Sequence, residues 1–165
     1  MTSINLIEAL ANPDRQPMTM LAAVGHYAEQ ITGARLVTLM TIEHNNGGAE
    51  RIWSNMPAAY PVSGRKPMNK THWSTLVIDQ QKPFVANTIA EIAAVFEDHA
   101  LIASLGCESC LNLPIVVSGQ VIGTINCLDV AGYWTAQRLA AAQALILPGA
   151  LAYLVHRNTK MEHVQ

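Results

Sequence analysis

The stretch LGCESCLNLPIVVSGQVIGTINCLDV (residues 105–130) holds all three cysteines of the chain and decides how the rest is read. Its two β-rich runs, LNLPIVV and QVIGTINCLDV, are separated by Ser118-Gly119, a compact hairpin signal. Cys107 and Cys110 form a C-x-x-C, but no second pair and no histidine pair accompanies it. A metal site needs three or four converging ligands, so zinc is not expected and the thiols read as structural. Counting outward from a two-residue turn with Val117 opposite Gln120, the expected pairs are Leu113 with Thr124, Leu111 with Asn126 and Cys110 with Cys127. Pro114 then falls opposite Gly123. This register puts Asn112 and both strand cysteines on one face and Thr124 and Asn126 on the other. Only one asparagine then belongs to a ligand face, and Cys107 is the thiol expected to face a cavity or solvent.

Outward from the hairpin, the chain is long enough for one compact core: 165 residues, half of them hydrophobic and 13% charged. Ten basic and twelve acidic residues leave a net charge of −2 with no basic stripe, which argues against nucleic acid and a membrane surface as partners. The first residues lack the basic start and long apolar core of a signal peptide. The most apolar stretch, Leu139 to Val155, is interrupted by Pro148-Gly149 and is shorter than a membrane span. An odd cysteine count without a secretion signal points to a reducing, cytoplasmic setting.

Met18 to Ile31 has helical spacing, and Gly33 stands in the stop position. LVTLMTIEH (36–44) and AERIWSN (49–55) predict a hairpin across Asn45 to Gly48. Residues 55–70 carry Pro57, Pro61, Gly64 and Pro67 and predict a long loop of the kind that is usually functional. A helix from Thr71 to Gln81, a strand at 83–87 and a second helix from Thr88 to Leu105 follow. The last helix is expected from Thr135 to His156, bent at Pro148. The fold class is therefore α/β of the α+β type, with an antiparallel sheet and layered helices.

Ser109, Pro114, Gly119, Ile122 and Gly123, followed by an amphipathic helix, resemble the C-terminal half of a GAF domain. The resemblance covers about Met18 to Arg157, leaving 1–17 as an N-terminal extension and 158–165 as a tail. It implies a GAF-like central antiparallel sheet with terminal helices on one face and a loop- and helix-covered cavity on the other. It also implies a sensory module for a small molecule, dimerisation through terminal helices, and a separate output protein, since no output segment accompanies this sequence. The cofactor, if any, is unspecified. Bilin-binding relatives attach pigment through a cysteine where this chain has Phe96-Glu97-Asp98-His99. The alternative is a thiol-dependent enzyme resembling free methionine-R-sulfoxide reductase, whose catalytic cysteine position is Ala103 here.

Within that frame, the 55–70 loop is expected over the cavity. Trp53 enters it, Tyr60 lies in it, and Arg65 and Lys66 follow Gly64. Rings plus a cation suit a small organic anion or metabolite, because arginine grips carboxylates bidentately. Trp73 would close the pocket. Asn87 either points its amide into it or caps the chain after the strand. Cys107, Asn112 and Asn126 complete the candidate set. Dimerisation is expected because TAQRLAAAQALILPGALAYLV is apolar around most of its circumference.

Overall fold

The computed structural model describes residues 5–45, 48–62 and 65–162, without the side chains of Lys66 and Glu162. Helix α1 (Leu6–Ala11) is capped by Asn5, whose Oδ1 accepts the Ile7 and Glu8 N–H groups. Helix α2 (Met18–Thr32) ends at Gly33, which takes the left-handed conformation (φ 69°) that favours glycine. Strands β1 (Leu36–Glu43) and β2 (Gly48–Ser54) form the expected first hairpin. Its turn residues Asn46 and Gly47 lie outside the described residues. Strand β3 (Lys66–Pro67) interrupts the long loop.

The two expected middle helices are shorter than their spacing suggests. Thr71 caps α3 (His72–Ser74), which continues only as a π-helical turn to Asp79. After β4 (Phe84–Ala86), a Thr88–Glu91 capping box starts α4 (Ile89–Ala93), and α5 (His99–Ser104) stands apart from it. The break between them turns Phe96 inward, where its ring meets Trp73 and Phe84 edge-on. Tertiary aromatic packing there overrides helix continuation.

Strands β5 (Ser109–Val117) and β6 (Gln120–Asp129) complete an antiparallel sheet of order β3-β2-β1-β6-β5-β4. Ser118 and Gly119 both adopt positive φ, the conformation that a two-residue hairpin turn requires. The register beyond the turn differs from the expected one. A bulge leaves Ile122 without a partner, because Val116 faces Val121 while Ile115 faces Gly123. Every later pair shifts by one residue: Cys110 faces Leu128, Leu111 faces Cys127, Asn112 faces Asn126 and Pro114 faces Thr124. Cys110 and Cys127 therefore lie on opposite faces, and both asparagines share one face.

A second bulge sits in β2, where Leu39 faces Trp53 but Met40 faces Arg51, leaving Ile52 over. Strict alternation would give Arg51 and Trp53 the same face. With Ile52 extra, Trp53 joins Leu39 on the helix side and Arg51 joins Met40 on the other.

Helices α2, α6 (Ala136–Ala142) and α7 (Ile146–Glu162) cover the first face. Buried Leu and Ile side chains there each stabilise the fold by about 1.5–3 kcal/mol. A 3₁₀ turn over Gln143–Leu145 interrupts the α-helical pattern of the last helical run before Pro148. Pro148 thus falls in the first turn of α7, where its missing N–H breaks no bond. The helical run Ala136–Met161 spans 26 residues and is long and apolar enough to cross a membrane, contrary to the shorter stretch expected from sequence. Here its residues Ala142, Leu145, Ala152 and Tyr153 are fully buried in the core. Tyr153 fits against Gly123, accepts the Met40 N–H (3.1 Å) and donates to Thr124 O (2.6 Å). One side chain thereby links α7 to β1 and β6.

The close packing of Trp53 on α2 generates a stability prediction. A Cβ on Gly25 would lie 2.3 Å from two ring atoms of buried Trp53. Alanine in a helix ordinarily gains about 1 kcal/mol over glycine. Overpacking against the indole costs about 1–3 kcal/mol, so Gly25→Ala should destabilise the protein on balance. Chemical denaturation with an unchanged or higher midpoint would refute this placement of Trp53.

Candidate ligand-binding site

Opposite the terminal helices, the sheet faces a cavity of about 460 Å³. The segments carrying Tyr60, Met68, Trp73 and Phe96 close over it. Its size lies within the range of pockets that enclose small molecules.

The floor is a polar row across three strands. Thr38 on β1 faces Asn126 on β6, which faces Asn112 on β5. The Trp73 indole N–H donates to Asn112 Oδ1 (2.9 Å), Asn112 Nδ2 donates to Asn126 Oδ1 (2.8 Å), and Asn126 Nδ2 donates to Thr38 Oγ1 (3.2 Å). All three hydrogen bonds therefore run in one direction along the floor. Buried amides need such partners, and this row supplies them while each Nδ2 keeps one N–H uncommitted.

One wall carries the charge. Arg51 is only 9% exposed, and its guanidinium carbon lies 3.8 Å from the centroid of the Tyr60 ring. Its Nη1 donates to Pro61 O (2.7 Å), while its buried Nε finds no acceptor. Among the described residues no carboxylate pairs with it. The Tyr60 hydroxyl donates to Asp98 Oδ2 (2.6 Å). Burial first, and that hydrogen bond second, push the Tyr60 phenol well above its ordinary range, so it stays protonated. Met40, Phe96, Ile102, Cys110 and Leu128 supply apolar surface.

Of the residues singled out from sequence, Tyr60, Trp73, Asn112 and Asn126 line this cavity. Trp53 does not: it packs on the helix side, its ring edge-on to His26. Arg65 is exposed and pairs with Glu43 outside the cavity. The side chain of Lys66 lies outside the described part of the structure. Asn87 is a tie between segments. Its Oδ1 accepts the Trp134 N–H (2.9 Å) and its Nδ2 donates to Trp134 O (3.1 Å). Cys107 is fully buried in the apolar cluster behind the cavity, and Cys110 is the thiol that lines it. The β6 bulge accounts for the asparagines sharing one face and for the separation of Cys110 from Cys127.

Sequence reasoning missed Thr38, Arg51 and Asp98. The available signal for Arg51 was a cation inside an apolar strand. For Asp98 the expected continuous helix concealed the turn that brings it to Tyr60.

The sequence profile of the GAF domain matches residues 15–152. The chain belongs to the GAF domain family. Solved structures agree on the fold. The GAF domain of a two-component sensor histidine kinase from Bacillus halodurans superposes with a TM-score of 0.67 at 14% identity, covering 87% of this chain and 95% of that one. A GAF domain/HD domain protein from Geobacter sulfurreducens gives 0.68 at 11% identity, with 95% and 99% covered. The GAF-B domain of DevS from Mycobacterium smegmatis gives 0.61 at 16% identity, with 89% and 99% covered. No curated protein sequence matches the chain.

The thiols generate the second prediction. Burial raises Cys107 to about 11 and Cys110 and Cys127 to about 12, above the ordinary thiol value of 9.0. Each raised value stabilises the fold below pH 9, and that contribution is lost as pH climbs from 9 through 12. The denaturation midpoint should therefore fall over that window, and all three thiols should resist a thiol reagent at neutral pH until the protein unfolds. Rapid labelling of the native protein at neutral pH would refute this.

Proposed function

We propose that the protein is a small-molecule-binding sensory module whose ligand is a small organic anion. A single observation carries the reading: Arg51 is a buried cation without a carboxylate partner among the described residues, set in the wall of a cavity. Buried charges are ordinarily paired, because removing an ion from water costs several kcal/mol that only a counter-charge recovers. A bound anion supplies that counter-charge. The sensor histidine kinase origin of one structural neighbour supports the sensory role. The thiol-enzyme alternative gains no support, since all three thiols are buried and Ala103 stands at the relevant position.

The test is native mass spectrometry of the purified protein, followed by Arg51→Met, which keeps an apolar stem against Tyr60. Charge-assisted hydrogen bonds contribute about 1.5–3 kcal/mol, so the variant should lose anion affinity at least ~10-fold. Its melting temperature should hold or rise, since an unpaired buried charge has gone. Unchanged anion affinity would overturn the reading.

The same proposal extends to assembly and output. Leu147, Leu154 and Met161 recur every seven residues along α7 and are 70%, 43% and 67% exposed. Seven-residue apolar spacing is the seam of paired helices, which fits a homodimer through the terminal helices acting on a separate output protein. Sedimentation at micromolar concentration should give a dimer mass that Leu154→Glu lowers to a monomer. A monomeric parent protein would defeat the dimer.

A further inference from the structure

The corner where Arg51 meets the floor is specific enough to name a ligand class. With Nη1 engaged by Pro61 O, the guanidinium edge carrying Nε and Nη2 has no acceptor among the described residues. Nε has almost no accessible surface, so Nη2 is the N–H group left to meet a carboxylate oxygen. Thr38 lines the same cavity, on the same sheet face as Met40, the strand partner of Arg51. Its hydroxyl accepts from Asn126, and its own O–H has no acceptor among the described residues. The directed hydrogen bonds from Trp73 through both asparagines polarise that hydroxyl as a donor. Arg51 Nη2 and the Thr38 hydroxyl thus offer donors to one anionic group.

The charge balance limits how negative that group can be. Among the described side chains lining the cavity Arg51 is the cation, whereas Asp98 and Glu97 contribute two carboxylates. Arg65 is engaged with Glu43 elsewhere. A phosphate monoester brings close to two charges at neutral pH, and beside two carboxylates one guanidinium does not compensate them. The remaining lining includes the rings of Tyr60, Trp73 and Phe96, which suit an aromatic body.

We infer that the ligand is an aromatic monocarboxylate, its carboxylate held by Arg51 Nη2 and the Thr38 hydroxyl, and its ring enclosed by Tyr60, Trp73 and Phe96. The inference rests on the anion-binding reading above. Within it, Thr38 and the asparagine row act as the specificity determinant, and Arg51 as the anchor. The neutral amide of the same acid forfeits the ion pair. An aliphatic acid keeps the ion pair but loses ring contacts.

Titration calorimetry on the full chain tests this with phenylacetate, phenylacetamide, hexanoate and phenyl phosphate. Phenylacetate should bind at least tenfold more tightly than each of the others. Thr38→Val should weaken phenylacetate about tenfold, and Thr38→Ser, which keeps the hydroxyl, should restore it. Circular dichroism checks that both variants fold. Phenyl phosphate binding as tightly as phenylacetate, and dependent on Arg51, overturns the carboxylate assignment while leaving the anion reading intact. Equal binding of hexanoate overturns the aromatic assignment. Phenylacetate affinity indifferent to Thr38→Val in a folded variant overturns the corner as its site. No binding of any probe at millimolar concentration overturns the class and counts against the anion reading as well.

Discussion

Strand β2 carries one residue more than its partner needs, and the cavity depends on where that residue sits. Ile52 is left over between the Leu39–Trp53 and Met40–Arg51 pairs. Upstream and downstream of it, side chains of the same parity point to opposite faces. The bulge sends the large indole of Trp53 into the helix layer, against Gly25 and His26, and turns the guanidinium of Arg51 into the cavity. Without it, Arg51 and Trp53 would share a face, so that either the cation would leave the cavity or the indole would leave the helix layer. The bulge in β6 does the same for hydrogen bonding, since it brings Asn112 and Asn126 face to face.

The two faces of the sheet then solve different problems. The helix face is closed by apolar packing and by Tyr153, whose hydroxyl bridges β1 and β6 from within α7. Gly123 leaves the space that this ring occupies, because a side chain there would collide with it. The cavity face keeps polar groups under cover and connects them in order. Trp73 anchors the row from the cover, and Thr38 ends it. A floor satisfied in this way holds its shape without a ligand, so recognition need not wait for folding.

Arg51 is an exception to that satisfaction, as its Nε has no acceptor among the described residues. The Tyr60 ring face stabilises the cation while its phenol engages the Asp98 carboxylate. An ionic group left incomplete in a buried place is a cost to the empty fold, and it is the kind of cost that binding sites carry.

Much of the architecture was legible in the amino-acid sequence. Alternating β-rich runs about Ser118-Gly119, the helical spacing ending at Gly33 and the capping threonines at 71, 88 and 135 express local preferences that operate wherever the chain goes. They located the hairpins, the helix starts, the cover over the cavity and membership of the GAF family. Tyr60, Trp73, Asn112 and Asn126 were identified from residue type and position. The pairing of the asparagines, the separation of Cys110 from Cys127, the exchange of Trp53 for Arg51 and the turn presenting Asp98 were not. Each depends on a bulge or a helix break whose cost is offset by packing between distant segments: Trp53 on Gly25, Phe96 on Trp73 and Phe84. Local pattern determined which elements form. Only tertiary packing decided which face each side chain shows, because a shift of one residue in a strand has little local consequence and reverses everything beyond it.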